Sequence, residues 1–215
     1  MLTGMDEQKP PSDFTRLRRH PERAAYDQAT IYAILDAALF CHIGYTRSGR
    51  VIVTPTIHWR ENNHIYWHGS SASQMLEQIP EMEICLTASV FDGFVLARSG
   101  FHHSVNYRSV MCFGRPELVT DRDRKLAALE RFIEHFFPGR WQQLRPPTEQ
   151  EVKATRILVM EINEASAKLR TGDSKDPPED WHWPVWAGIL PLQLAHGKPI
   201  ADSHLPPGLF PPEGW

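Results

Sequence analysis

Between residues 39 and 68 apolar and polar side chains exchange places at nearly every step, and this period-two pattern commits the chain to antiparallel strands. Leu39, Cys41, Ile43 and Tyr45 alternate with Phe40, His42, Gly44 and Thr46. Arg47-Ser48-Gly49-Arg50 supplies a turn, after which Val51, Val53, Pro55, Ile57 and Trp59 alternate with Ile52, Thr54, Thr56 and His58. Glu61-Asn62-Asn63 makes a second turn, and Ile65 and Trp67 then face one way against His64, Tyr66 and His68. A meander is predicted. Pro55 conflicts with it locally, because proline donates no ladder hydrogen bond; it marks an edge, a bulge or a place where backbone faces a ligand.

The meander runs into Gly69-Ser70-Ser71-Ala72-Ser73 and a short helix over 72–78. Such a junction gathers hydroxyls, a permissive glycine and the unpaired N–H groups of a helix start, which together form the floor of an anion site. The same residues also read as a tight turn and a helix capped by Ser70 or Ser71. Both readings stand at this point.

Elsewhere, Ile31, Ile34, Leu35 and Ala38 predict a helix over 27–38. Ile84, Leu86, Ala88 and Val90 mark a strand, and 94–97 another after a turn at Asp92-Gly93. Residues 106–119 form the longest strand pattern, apolar on both faces at 110–113, as in a barrel wall covered from outside. A helix opens at Thr120-Asp121-Arg122-Asp123, carries Leu126, Leu129, Ile133 and Phe136 as its stripe, and stops at Pro138-Gly139. A last strand is predicted over 155–163. The fold class is mainly β with α: six or seven antiparallel strands with two or three flanking helices.

A 215-residue chain with 41% hydrophobic residues suits one main domain, expected over 16–192, with a disordered lead at 1–15 and a Pro/Trp-containing tail at 193–215. Trp181, Trp183, Trp186 and Trp215 lie among prolines without periodicity, so part of this end packs over something apolar. A formal charge of -3 and a pI near 6.4, with scattered Lys and Arg, leave no footprint for nucleic acid. No apolar run approaches membrane-spanning length and no signal peptide is visible, so the expected compartment is the cytosol. Cys41, Cys85 and Cys112 each sit in a strand-like apolar run without CxxC spacing and read as buried thiols.

Metal chemistry finds no support. The chain has 11 histidines, but His64 and His68 are separated by about 13 Å at strand rise, and no HExxH or paired Cys/His spacing occurs. No GxSxG, Walker loop or GxGxxG follows a strand, which removes the common hydrolase, NTPase and dinucleotide-fold readings. What remains is anion binding: Arg50, Ser70, Ser71, Ser73, Tyr107, Arg108 and Ser109 are phosphate-competent groups on strands or at strand ends.

Thr54-Pro55, the strand end Tyr66-Trp67-His68-Gly69-Ser70, the run Asn106-Tyr107-Arg108-Ser109-Val110 with Gly114 after it, and Trp186-Ala187-Gly188-Ile189-Leu190-Pro191 occur in an order and spacing that carry a resemblance. The chain resembles the pyridoxamine 5′-phosphate oxidase-related, FMN-binding split β-barrel proteins, in the nitroimidazole-reductase-like branch. The resemblance implies a Greek-key-like split barrel, assembled as a homodimer with FMN at the interface. It implies a flavin ring against Val53, Thr54, Pro55 and Thr56, with Trp67, His68 and Gly69 beside it. Arg50, Ser70, Ser71 and Ser73 would hold the phosphate, with Tyr107, Arg108 and Ser109 as further candidates, and Trp186 would cover the site. His68 falls where that branch places a functional histidine, so it is the expected proton donor. The implied activity is an FMN-dependent oxidoreductase that passes electrons from NAD(P)H or another donor to a small organic acceptor. The alternatives are a haem-binding or haem-degrading barrel and a non-enzymatic flavin binder. Two departures stand out: Ala72-Ser73 replaces the Arg-Lys of true pyridoxamine phosphate oxidases, and their C-terminal arginine-histidine substrate motif is absent.

Overall fold

The computed structural model describes residues 9–212. Among them, ten strands and four α-helices follow one another as β1 (Ala24–Ala25), α1 (Gln28–Ala37), β2 (Phe40–Arg47), β3 (Arg50–Glu61), β4 (His64–Ser70), α2 (Gln74–Gln78), β5 (Ile84–Leu96), β6 (Ser104–Gly114), β7 (Glu117–Leu118), α3 (Arg122–Phe136), α4 (Glu149–Ala154), β8 (Thr155–Glu161), β9 (Glu164–Arg170) and β10 (Gly188–Pro191). The strand order is β1-β9-β6-β5-β2-β3-β4-β8-β7, with β10 paired to β5 off that path. This is the mainly β, split-barrel architecture expected, with more strands than expected.

The chain divides into two compact units. The first takes the chain up to Phe91 and Val105–Gly172; the second takes Asp92–Ser104 and the chain from Asp173 onward. The expected lead at 1–15 falls partly on residues 1–8, outside the described residues. Of its remainder, Ser12 and Thr15 form a turn in which the Ser12 backbone N–H donates to Thr15 Oγ1 at 3.0 Å, and Thr15 is buried. Trp215 also lies outside the described residues.

In the first unit, β2 and β3 pair over their full lengths, from Phe40 opposite Ile57 to Arg47 opposite Arg50. Residues facing each other across a ladder share a sheet face, so Cys41, Ile43 and Tyr45 point inward with Thr56, Thr54 and Ile52. β3 then pairs with β4 only over its far end, from His58 opposite Trp67 to Glu61 opposite His64. Beyond that point β4 continues alongside β8 while β3 stays with β2, and this divergence is where the barrel splits. The inner faces meet in a core of Ile43, Ile65, Trp67, Leu76, Leu86, Cys112, Leu158 and their neighbours, closed at one side by Ile31, Ile34 and Leu35 of α1. A second cluster, Trp59, Val119, Ala128, Ile157 and Val159, forms where α3 lies on the outer face.

Three local expectations change. Asp92-Gly93 is no turn, because β5 runs unbroken through it. The strand over 155–163 is not the last: it ends at Glu161, and β9 returns antiparallel beside β6, with Val110 opposite Ala167. The strand expected over 106–119 breaks after Gly114 and resumes as the two-residue β7 beside β8.

In the second unit, β10 pairs with the far half of β5, Gly188 opposite Leu96 and Pro191 opposite Gly93. Gly93 has φ +155°, and a Cβ there would lie 2.6 Å from the Leu190 carbonyl oxygen and 2.9 Å from Pro191 Cα. Only glycine permits that approach. The unit is tied by Asp176, whose carboxylate accepts from the Arg98 backbone N–H at 3.1 Å, from Arg98 Nη1 at 3.1 Å and from Ser174 Oγ at 2.9 Å. Burial alone would raise this acid; the bonds from Ser174 and Arg98 outweigh it and hold the carboxyl below its usual range.

Candidate functional site

The junction after β4 has its predicted shape and a different cap. Ser73, not Ser70 or Ser71, is the N-cap of α2, its Oγ accepting from the Leu76 N–H at 3.5 Å. Much of the anticipated anion floor is spent on holding the turn. The Ser71 N–H donates to the Ala154 carbonyl at 2.7 Å, the Ser73 N–H to the Ser70 carbonyl at 2.9 Å, and the Ala72 N–H to Ser70 Oγ at 3.2 Å. Gly69 is half-buried because Leu76 packs against it; a Cβ there would meet Leu76 Cδ1 at 2.8 Å.

The cationic contribution comes from the β2–β3 hairpin. Arg47, which sequence reasoning read only as part of a turn, donates from Nη1 to Gln74 Oε1 at 2.7 Å. That bond brings the hairpin tip to the first residue of α2, and Arg50 begins β3 at the same tip, exposed. Arg47, Arg50 and the hydroxyls of Ser70, Ser71 and Ser73 therefore collect at one end of the barrel.

Beside them, 50–57 of β3 has no ladder partner on its β4 side among the described residues. Pro55 sits in this stretch, opposite His42. The sheet face here is apolar and open: Phe40 is 58% exposed, Val51 78% and Val53 59%. Thr54 and Thr56 point to the opposite, inward face.

His68 lies elsewhere. Its alternation places it on the outer face, where its ring meets Phe132 of α3 edge-on at 4.6 Å and Trp59 at 5.8 Å. Its Nδ1 is buried without a hydrogen-bond partner, and burial lowers its pKa. The imidazole is therefore held neutral, which disfavours the imidazolium that a proton donor would use. Trp67, its neighbour, is fully buried in the core and offers no surface to a cofactor. That correction was available in the sequence, since Trp67 alternates in phase with Ile65.

Tyr107, Arg108 and Ser109 stand on β6 opposite Arg170, Leu169 and Lys168 of β9. Strands β5 and β2 separate them from β3, so they form a second polar cluster apart from Arg50 and the serines. Within it Ser109 Oγ donates to the Lys168 carbonyl at 3.2 Å, and buried Arg170 donates to Asn106 Oδ1, a pair the sequence reading did not single out. Trp186 belongs to the second unit, 64% exposed, with its ring against Gly188. Burial pushes the Cys41 and Cys112 thiols up to about 12, so neither is a nucleophile.

His58 is the other buried imidazole. It donates from Nε2 to the Leu35 carbonyl at 2.9 Å, while its Nδ1 has no partner. Burial lowers its pKa; the Leu35 bond and Asp36 oppose the shift, and His135 adds to it. An unfolded histidine titrates near 6.5, so below that pH the unfolded chain binds the proton first and stability falls as pH drops. The unfolding free energy from urea titrations is expected to decrease between pH 7 and 5, by at most about 1.4 kcal/mol per pH unit for this group. His58→Gln should flatten that slope, and an unchanged slope would remove His58 as its source.

The fold is an antiparallel split barrel with an open strand edge beside a cluster of hydroxyls and arginines. The model of the pyridoxamine 5′-phosphate oxidase family matches residues 27–169, and the chain belongs to that family. The flavocytochrome Anf3 of Azotobacter vinelandii shares 42% identity over 96% of each chain, with a TM-score of 0.90. An FAD- and haem-binding protein of Mycobacterium smegmatis shares 29% identity over 89% of this chain and 94% of that one, with a TM-score of 0.84. A candidate 5-nitroimidazole antibiotic resistance protein of Bacteroides thetaiotaomicron shares the fold, at 23% identity over 67% of this chain and 85% of that one, with a TM-score of 0.56. No curated protein sequence matches the chain. Among the described residues, no helix is long and apolar enough to cross a membrane.

Proposed function

We propose that this chain is a flavocytochrome-type redox protein, binding a flavin and a haem and passing electrons from a reduced donor to a small acceptor. The observation that carries the reading is the 42% identity to a flavocytochrome over 96% of both chains. The residues present fit a flavin, and His68 is the candidate ligand for a haem, with its unpartnered Nδ1 buried against α3. For the flavin, the open edge of β3 at 50–57 offers backbone N–H and C=O groups to a ring, and Arg47, Arg50 and Ser71 offer charge and a hydroxyl to a phosphate. With several backbone N–H groups at the α2 start already bonded, phosphate binding depends on those arginines. For the haem, His68 supplies a neutral imidazole with an unpartnered nitrogen among aromatic rings. When bound, these cofactors supply the one- and two-electron chemistry, and the protein supplies position and a low-dielectric surround.

The flavin is read as FAD, after the M. smegmatis neighbour's FAD and haem. A second reading is the FMN-dependent reductase of a nitro or similar acceptor that the sequence resemblance implied; the family match is compatible with it. The apolar face of Phe40, Val51 and Val53 supports a homodimer, and a second copy would also bring further polar groups to the open edge of β3. Cys41, Cys85 and Cys112 are all unpaired, in keeping with the cytosol.

His68→Ala tests the haem assignment. The variant is expected to lose the Soret band while retaining bound flavin, and an undiminished Soret band would move the axial ligand away from His68.

A further inference from the structure

The second unit ends in a segment that its own bonds do not hold. Directly after β10 the Leu192 N–H donates to the Asp92 carbonyl at 3.0 Å. From 193 to 212 the chain is an arm without helix or strand, interrupted by Pro199, Pro206 and Pro207. Among the described residues its hydrogen bonds stay within 202–205, where the Leu205 N–H donates to the Asp202 carbonyl at 3.1 Å and the His204 N–H to Asp202 Oδ1 at 2.8 Å. Holding such an arm in one conformation costs entropy that only burial of its apolar side chains against another surface can offset. Those side chains are not buried: Leu194 is 82% exposed, Ile200 97% and Phe210 87%, and Trp183 and Trp186 before β10 are exposed as well. Apolar exposure on this scale marks an interaction surface.

We propose that this surface, over 183–210, is buried against a second copy of this chain. Two observations select that occupant. The first is area. Trp183, Trp186, Leu194, Ile200, Leu209 and Phe210 together offer about 500–800 Å² of apolar surface. A standard interface of about 800 Å² a side needs roughly 450–520 Å² of apolar surface from each partner. The sheet face of Phe40, Val51 and Val53 offers only about 200–300 Å², too little to close a stable dimer by itself. The second observation is charge. Between 181 and 210 only Lys198 and Asp202 are charged, so a second copy meets almost no like charge there, and no basic cluster favours anionic lipid or an acidic partner. The inference rests on the homodimer reading proposed above and assigns the main contact of that dimer to the second unit.

The test compares the unaltered full chain with Ile200→Asp and Val51→Asp, both at exposed positions, so that folding is kept and far-ultraviolet circular dichroism can verify it. Each is followed by sedimentation equilibrium and by subtilisin cleavage between 193 and 210 at a series of protein concentrations. The unaltered chain is expected to sediment as a dimer, and its arm to become more resistant as concentration rises, a dependence that burial within one chain would not give. Ile200→Asp should raise the dimer dissociation constant about a hundredfold or more, because a two-fold dimer loses the contact twice, and should abolish the protection. A dimer that ignores Ile200→Asp overturns the proposal; if Val51→Asp then dissociates it, the homodimer reading stands on the sheet face alone. A chain that is monomeric at every concentration overturns both, and protection of its arm by phosphatidylcholine vesicles would assign the surface to a membrane instead.

Discussion

Gly93→Ala is expected to detach β10 from β5 and loosen the chain from Asp173 onward. The new methyl group would meet backbone atoms, the Leu190 carbonyl oxygen at 2.6 Å and Pro191 Cα at 2.9 Å, which cannot rotate away as a side chain could. The φ of +155° adds conformational strain of about 1–3 kcal/mol for a residue carrying a Cβ. The core of the first unit has no part in this contact, so the damage should be local. Limited proteolysis should cut the variant rapidly between residues 173 and 212, and near-ultraviolet circular dichroism from Trp181, Trp183 and Trp186 should weaken, with far-ultraviolet signal largely kept. Protease resistance equal to that of the unaltered chain would contradict the account of β10.

Trp59→Ala should be the most destabilising change in the outer cluster. Trp59 is almost fully buried, stacks on Tyr66 at 5.5 Å and 15°, and meets Phe132 of α3 at 5.1 Å. It is one of the contacts that fasten α3 to the sheet. Truncating a buried tryptophan costs about 3–5 kcal/mol, a large share of the stability of a typical domain. The urea midpoint should fall accordingly. A loss below about 1 kcal/mol would show that α3 is held by other contacts.

The parts of this fold that could be read from sequence are those in which one sheet face is buried and the other is not. The alternation over 39–68 located β2, β3 and β4 and the turn at Asn62, and it put Ile65 and Trp67 on one face, which the structure makes the core face. β9 escaped because its Glu-Ala-Ser-Ala-Lys sequence carries small side chains on the buried face, where Ala165 and Ala167 pack without an apolar signal. β10 escaped among prolines, and Gly93 was read by its usual role in turns when its actual role is to admit a neighbouring strand.

The candidate site residues named from the sequence fall into two groups in the structure. The serines after Gly69 and the proline of β3 do mark the open end of the barrel. Arg47 was missed because only a tertiary contact, to Gln74, distinguishes it from any turn arginine. Tyr107, Arg108 and Ser109 were grouped with Arg50 by chemistry, whereas the strand order places β5 and β2 between them. The Asp176 and Arg98 pair joins residues far apart in sequence, and no local pattern announces it.

The most direct test of the redox assignment is the absorbance spectrum of the purified protein before and after dithionite reduction, with chromatography of any flavin released by heat. A Soret band that shifts on reduction, together with released FAD, is the expected result. A folded protein with neither chromophore, which also takes up neither added FAD nor haemin, would contradict the assignment and leave a family barrel without its redox cofactors.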